Sequence, residues 1–109
     1  MTNYSAVLVE RYADKKWRLV GDDYSGLTWQ DESPKPTKKT LDDAWPAVRD
    51  ARAWDAVRLE RDRLLAASDW TQVADAPVDQ QAWAVYRQAL RDMPQDFATP
   101  NDVVWPEVP

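Results

Sequence analysis

Carboxylate side chains are the residues of this chain best suited to acid–base chemistry, and they occur as close pairs. The pairs are Asp22/Asp23, Asp31/Glu32, Asp42/Asp43 and Glu60/Asp62. General acid–base catalysis needs two groups that converge from unlike environments, whereas neighbouring side chains on a helix or strand point in different directions. None of these pairs has the spaced oxygen ligands of a calcium loop. The pattern therefore predicts solvated carboxylates rather than a catalytic or calcium site.

The residue types that most often act as nucleophiles and metal ligands are missing, because the chain has no cysteine and no histidine. Their absence excludes disulfides, thiol nucleophiles and the usual zinc sites, as well as the commonest general base near neutral pH. Gly21 and Gly26 form no phosphate-binding fingerprint, and no serine lies in a nucleophile-elbow pattern. We predict no enzymatic activity, no catalytic residue, no metal site and no cofactor.

The charge of the chain argues against nucleic acid as a partner. The net charge is −5 and the isoelectric point is near 4.6, so phosphate groups are repelled. Residues 1–40 carry a net charge of +1 and residues 41–109 a net charge of −6. The short basic run KPTKK at 35–39 is interpreted as a solvated linker. No apolar run approaches the roughly 20 residues of a membrane helix, so no membrane partner is expected.

Tryptophan provides the chemistry most useful for binding proteins, and the chain has seven. Two of them fall on helical apolar stripes, which predicts a structural core formed by Trp54, Val57, Leu64, Leu65, Trp83, Tyr86 and Leu90. Three others fall at element ends or in the C-terminal segment, where a small domain buries side chains least easily. Exposed aromatic residues are the commonest hot spots of protein interfaces, which predicts a partner-binding set of Trp45, Trp70, Val103, Val104 and Trp105. Stacking of the tryptophans on carbohydrate is a weaker alternative.

The N-terminal residues 1–30 are predicted to form a small β subdomain. Apolar runs at 6–9 and 17–20 flank a polar turn at 14–16, which is typical of a β-hairpin. Residues 24–29 are expected to add a third strand, with a bend at Gly26. Two prolines in residues 31–39 then predict an extended linker.

The remainder of the chain is predicted to form a helical hairpin at 40–94 and an extended arm at 95–109. Thr40 is the expected N-cap, and Pro46 is expected to restart the first helix, which then ends near Ser68. Asp79 is expected to cap the second helix and Pro94 to stop it. The fold class predicted from these elements is α+β: a β-hairpin or three-stranded sheet, then a helical hairpin and an arm.

The C-terminal half contains the most specific sequence pattern. It reads RDRLLAASDWTQVADAPVDQQAWAVYRQALRDMP from Arg61 to Pro94 and closes with VVWPEVP at 103–109. From Trp54 to Trp105 the chain resembles the small tail assembly chaperone-like proteins that are encoded in bacteriophage tail gene clusters. The resemblance implies a non-enzymatic protein that helps to assemble a tail by binding tail, tail-fibre or baseplate proteins.

Two alternatives to a transient chaperone stay open at this point. One is a structural virion component that is retained in the tail, the baseplate or the fibre, where it could form an oligomer within the particle. The weaker one is a carbohydrate-binding module for host attachment. The resemblance implies a location in the host cell cytoplasm during assembly, or in the virion tail if the protein is retained.

Overall fold

The computed structural model describes all residues from Met1 to Pro109, and their contacts divide the chain into two compact units, Met1–Ala51 and Arg52–Pro109. Helices hold 61% of the residues and strands 6%, with the small sheet near the N-terminus and long helices after it. The predicted α+β class is therefore confirmed. The division of the chain into four parts at 30, 39 and 94 stays a prediction.

The first unit begins with helix α1, Tyr4–Arg11, where a strand at 6–9 was predicted. That prediction was wrong because the buried residues Tyr4, Val7 and Leu8 follow the helical period rather than the alternation of a strand. The side chain of Asn3 caps the helix by accepting a hydrogen bond from the Ala6 N–H at 3.0 Å. The β-branched residues of the run therefore adopt a helix because tertiary burial outweighs their strand propensity.

The sheet has two antiparallel strands, β1 at Trp17–Leu19 and β2 at Leu27–Trp29. Trp17 pairs with Trp29, and Leu19 with Leu27, so the second and third predicted strands form the hairpin and the first does not. A short 3-10 turn, Tyr24–Gly26, connects the strands. A Cβ atom at Gly26 would collide with the Val20 carbonyl, which explains the glycine at this bend.

The segment predicted as a linker, residues 31–39, contacts the sheet closely. The Ser33 carbonyl accepts a hydrogen bond from the Trp29 indole at 2.6 Å, and the Pro36 carbonyl accepts one from the Tyr24 hydroxyl at 2.6 Å. The Lys35 ammonium lies 5.1 Å from the centre of the Tyr24 ring. Pro36 itself is buried. These contacts hold the segment against the hairpin.

Helix α2, Lys38–Ser68, is continuous and contributes to both units. Its N-cap is Thr37 rather than Thr40, because the Thr37 hydroxyl accepts the Thr40 N–H at 3.1 Å. Pro46 lies inside the helix, so the predicted restart was wrong. Proline removes one backbone hydrogen bond, but Leu41 and Val48 on either side of it are buried in the core of the first unit. Their burial stabilises the helix across the proline.

The second unit consists of the later turns of α2, a 3-10 turn at Asp69–Gln72, helix α3 at Gln80–Asp96 and a second 3-10 turn at Pro100–Asp102. Asp79 caps α3 as predicted, since its carboxylate accepts the Ala82 N–H at 3.1 Å. The helix continues two residues beyond Pro94, so the predicted stop was wrong. The core is formed by Tyr86, Leu90 and Met93. Side chains from α2, α3 and the C-terminal segment pack on it, namely Val57, Leu64, Leu65, Trp83, Phe97 and Val103.

Candidate partner-binding surface

Arg87 positions the chain where α2 ends. Its residue surface is only 9% exposed, and its guanidinium donates hydrogen bonds to the Leu65 carbonyl, the Ser68 hydroxyl and the Asp69 carboxylate, each at 2.7 Å. The last carbonyls of a helix lack intrahelical partners, and Arg87 supplies one from the next helix. Its buried Nε atom makes no hydrogen bond. The end of α2 is therefore fixed by α3.

The residues after α2 are bound together by side-chain hydrogen bonds to the backbone. The buried Thr71 hydroxyl donates to the Ser68 carbonyl at 2.6 Å. The Gln72 amide donates to the Gln80 carbonyl at 3.3 Å, and the Gln80 amide donates in return to the Val73 carbonyl. The Ser-Asp-Trp-Thr-Gln stretch of the sequence pattern is thus a folded cap that fixes the connector 73–79 to the start of α3.

This cap presents an aromatic surface, which we define as Trp70, Val73 and Trp83. Trp70 and Val73 are each 51% exposed, and Trp83 is half-buried. The Trp70 and Trp83 rings are 6.4 Å apart at 52°, and Trp83 packs edge-on against Tyr86 at 5.5 Å. The buried edge of Trp83 anchors the surface to the core, while Trp70 and Val73 remain accessible to another molecule.

The tryptophans of this surface differ from those of the sheet in the hydrogen bonding of their indole N–H groups. Trp17 donates to the Tyr12 carbonyl at 2.9 Å and Trp29 to the Ser33 carbonyl at 2.6 Å. The indole nitrogens of Trp70 and Trp83 have no such partner within the chain. Tryptophan presents both an apolar ring and one donor, and half of the Trp70 surface is exposed.

Among the C-terminal residues, some contact the core and others are exposed. Val103 packs on the core of the second unit, and its N–H bonds to the Pro100 carbonyl at 3.4 Å. Val104 is 71% exposed and Trp105 is 38% exposed. Of the residues predicted to bind a partner, Trp70 and 103–105 therefore belong to the second unit, and Val104 and Trp105 offer apolar surface there.

The other predicted tryptophans have different surroundings. Trp45 belongs to the first unit, where it is half-buried and packs on that core. Trp54, predicted as core, is half-buried without joining the cluster around Leu90, and the Arg58 guanidinium lies 6.0 Å from its ring centre. The remaining predicted core residues, Val57, Leu64, Leu65, Trp83, Tyr86 and Leu90, all belong to that cluster.

Several carboxylates support turns and helix starts through hydrogen bonds. No group of three or more acidic residues lies close enough to hold a metal ion. At the entrance to α1 the Tyr4 hydroxyl donates to Asp42 at 2.7 Å, and Lys38 lies 3.3 Å from the same carboxylate. The Tyr4 hydrogen bond lowers the pKa of Asp42, and that same bond raises the pKa of Tyr4. This network stabilises a helix start.

Sequence reasoning missed one residue of the surface, Val73, and one buried residue that supports it, Arg87. Arg87 lies four residues after Trp83 and three before Leu90, so a charge on the apolar stripe of α3 was the signal for its buried role. Val73 lies in an irregular connector, where periodicity gives no signal. Its exposure beside Trp70 depends on the 3-10 turn that follows α2.

Comparison with known proteins identifies a family for the second half of the chain. A family model described as phage tail assembly chaperone protein matches residues 54–109, in agreement with the predicted resemblance from Trp54 to Trp105. No curated protein and no solved structure matches the chain. No helix combines the length and the apolar composition that are needed to cross a membrane.

Proposed function

We propose, since the chain belongs to the phage tail assembly chaperone family, that it is a non-enzymatic protein that binds tail-fibre or baseplate proteins before they are built into a tail. Family membership supports the chaperone-like role in tail assembly. The choice of fibre or baseplate proteins as partners is our proposal. We place this activity in the cytoplasm of the host cell.

The observation that supports binding is the exposed Trp70 indole on a rigid base. The family match covers residues 54–109 and thus nearly all of the second unit, which contains Trp70, Val104 and Trp105. Exposed aromatic side chains on a well-ordered support lose little entropy on binding and are frequent interface hot spots. We propose Trp45, Trp70, Val103, Val104 and Trp105 as partner-binding residues, with Val103 also contributing to the fold.

The physical task of such a protein is to cover surfaces that are later buried in the assembled tail. Unassembled subunits expose apolar faces and strand edges, which aggregate readily. A binding protein with an apolar, aromatic surface covers these groups and is displaced when the subunit meets its permanent neighbour. Such a mechanism requires contact surface and reversible binding, and it requires no catalytic residue.

Co-expression with the tail-fibre and baseplate proteins of the same phage tests the proposal. We expect the chain to co-purify with at least one of them and to raise its soluble yield. Trp70→Ala should reduce both effects, whereas Leu59→Ala, at an exposed leucine of α2, should reduce neither. If no tail protein co-purifies with the wild-type chain, the proposed function is wrong.

The alternative function is that of a structural component that stays in the virion. Mass spectrometry of purified phage particles separates the two functions. Stoichiometric amounts of the chain in particles would indicate a retained component, and its absence would indicate a chaperone that is released.

A further inference from the structure

The connector that presents the aromatic surface is strongly acidic. Between Leu64 and Tyr86 the chain has three carboxylates and no lysine or arginine. Asp69 is neutralised by Arg87. The other two, Asp75 and Asp79, are exposed, and the ion pairs of the second unit all join other residues. Two carboxylates without an ion-pair partner therefore lie in the segment that also contains Val73 and leads into α3, and one of them, Asp79, also caps that helix through the Ala82 N–H.

We propose that the aromatic surface binds a positively charged segment of a tail-fibre or baseplate protein that also contains an apolar anchor, an inference that rests on the proposed function. An arginine or lysine of the partner lies over the exposed Trp70 ring, where a cation is attracted by the electrons of the indole face. The apolar anchor contacts Val73 and Trp83. Asp75 and Asp79 attract the cationic groups and orient the segment.

Other kinds of segment fit this surface less well. An acidic segment is repelled by Asp75 and Asp79. A neutral apolar segment would cover these carboxylates without offering a counter-charge, and removing an unpaired charge from water is costly. The two aspartates therefore select against both classes, as unpaired charges commonly do at specific interfaces. The free indole N–H of Trp70 adds a donor that a backbone carbonyl of the partner can accept.

An array of overlapping peptides from the tail-fibre and baseplate proteins of the same phage tests the proposal, with the full-length chain as the probe. Two variants examine the surface: Trp70→Ala removes the ring, and Asp75→Asn with Asp79→Asn removes the two charges with little change of shape. The matched control is Asp22→Asn with Asp23→Asn. It makes the same change of net charge in the first unit, at exposed aspartates that form no ion pair.

We expect the bound peptides to be net positive and to contain at least one large apolar residue. Loss of a hot-spot side chain commonly weakens binding by about tenfold or more, and we expect this for Trp70→Ala. The Asp75/Asp79 variant should bind several-fold more weakly at low salt and lose most of its salt dependence. The control should bind like the wild type. A melting temperature for each variant shows whether the fold is retained.

Three results would overturn the inference. If the bound peptides are neutral or acidic, the proposed partner chemistry is wrong. If the Asp75/Asp79 variant binds as tightly as the control, the acidic groups do not select the partner. If Trp70→Ala binds normally, another surface is used. Each of these outcomes is compatible with co-purification of an intact tail protein, and only failure of that co-purification contradicts the proposed function as well.

Discussion

Arg87 is the residue on which the geometry of the connector depends. Its guanidinium joins the Leu65 carbonyl, Ser68 and Asp69 to α3 through three hydrogen bonds. Arginine suits this place because its planar fork offers several donors in a fixed arrangement. The same side chain neutralises Asp69, so that the acidic character of the connector comes from Asp75 and Asp79.

Replacing Arg87 by alanine should therefore destabilise the protein clearly. The change removes the donor to the buried Ser68 oxygen and leaves the Leu65 carbonyl with the Ser68 hydroxyl, 3.2 Å away, as its side-chain partner. We expect a loss of about 2 kcal/mol from the free energy of unfolding. Urea denaturation measures this loss. Arg91→Ala is the control, because Arg91 is exposed on the same helix and bonds only to Gln88. Equal stabilities of the two variants would contradict a structural role for Arg87.

The ionisation of Asp31 should make the stability of the first unit depend on pH in the acidic range. The Ser33 hydroxyl, followed by the Ser33 N–H, lowers the pKa of Asp31 to about 2. A carboxyl group with a lowered pKa binds its proton more weakly in the folded than in the unfolded chain, so its stabilisation is complete above pH 4 and is lost as the pH falls towards 2. Asp31→Asn should therefore have the lower melting temperature at pH 5, and the difference should shrink towards pH 2.

The neighbouring glutamate offers a control for this measurement. Glu32 is exposed and forms no ion pair or side-chain hydrogen bond, so Glu32→Gln should follow the wild type through the same pH range. A constant difference between Asp31→Asn and the wild type from pH 5 to pH 2 would show that the carboxylate does not contribute through its charge.

At the scale of elements, each turn of the chain is fixed by a small number of local constraints. Asn3, Thr37 and Asp79 each accept a backbone N–H at the start of a helix. The β-hairpin depends on close approach of two backbones. The C-terminal segment depends on a few apolar contacts, of which Val103 and Phe97 are the ones that reach the core.

Substitution of Gly26 tests whether the hairpin needs this close approach of two backbone segments. A methyl group there would collide with the Val20 carbonyl, whose residue also donates its N–H to the Gly26 carbonyl at 3.0 Å. We expect Gly26→Ala to cost roughly 1–3 kcal/mol, as is typical of overpacked sites. Thermal melting followed by near-ultraviolet circular dichroism measures the change. Ser25→Ala, exposed in the same turn, should leave the melting temperature within a degree or two of the wild type.

Two neighbouring valines separate the structural part of the C-terminal segment from its accessible part. Val103 packs on the core, whereas Val104 is largely exposed. Val103→Ala should cost about 1 kcal/mol, close to the value for removing partly buried methyl groups, and Val104→Ala should cost little. If Val104→Ala weakens co-purification of tail proteins without lowering stability, residue 104 contributes to binding. Equal losses of stability would contradict the assigned packing.

At the scale of the whole molecule, each compact unit has its own apolar core. Leu41 and Val48 belong to the core of Met1–Ala51, and Leu90 and Met93 to that of Arg52–Pro109. Leu41 and Leu90 are both fully buried. Because each leucine belongs to a different core, substitutions at these two positions report on the two cores separately.

Hydrogen exchange should distinguish the two cores. We expect Leu41→Ala to accelerate amide exchange mainly within residues 1–51, and Leu90→Ala mainly within residues 52–109, since exchange reports local opening free energies. Each substitution should cost about 2–5 kcal/mol in its own core. The two variants serve as reciprocal controls, and uniform acceleration along the chain in both would indicate that the cores open as one cooperative unit.

The sequence alone determined the features that depend on neighbouring residues. Asp79 caps α3 because its carboxylate reaches an N–H three residues on. The period of Tyr86, Leu90 and Met93 defines the buried stripe of α3. The pattern from Arg61 to Pro94 identified the family, and the absence of cysteine and histidine predicted a chain without thiol or imidazole chemistry.

Only the tertiary structure decided the features that depend on distant contacts. The Ala6–Val9 run forms a helix because Val7 and Leu8 are buried in the core of the first unit. Helix α2 continues through Pro46 because burial of Leu41 and Val48 outweighs one missing hydrogen bond. Arg87 is buried because its guanidinium, on α3, binds the Leu65 carbonyl at the end of α2. Local patterns specify period and caps, but burial arises from contacts between segments far apart in the chain, which a single sequence does not specify.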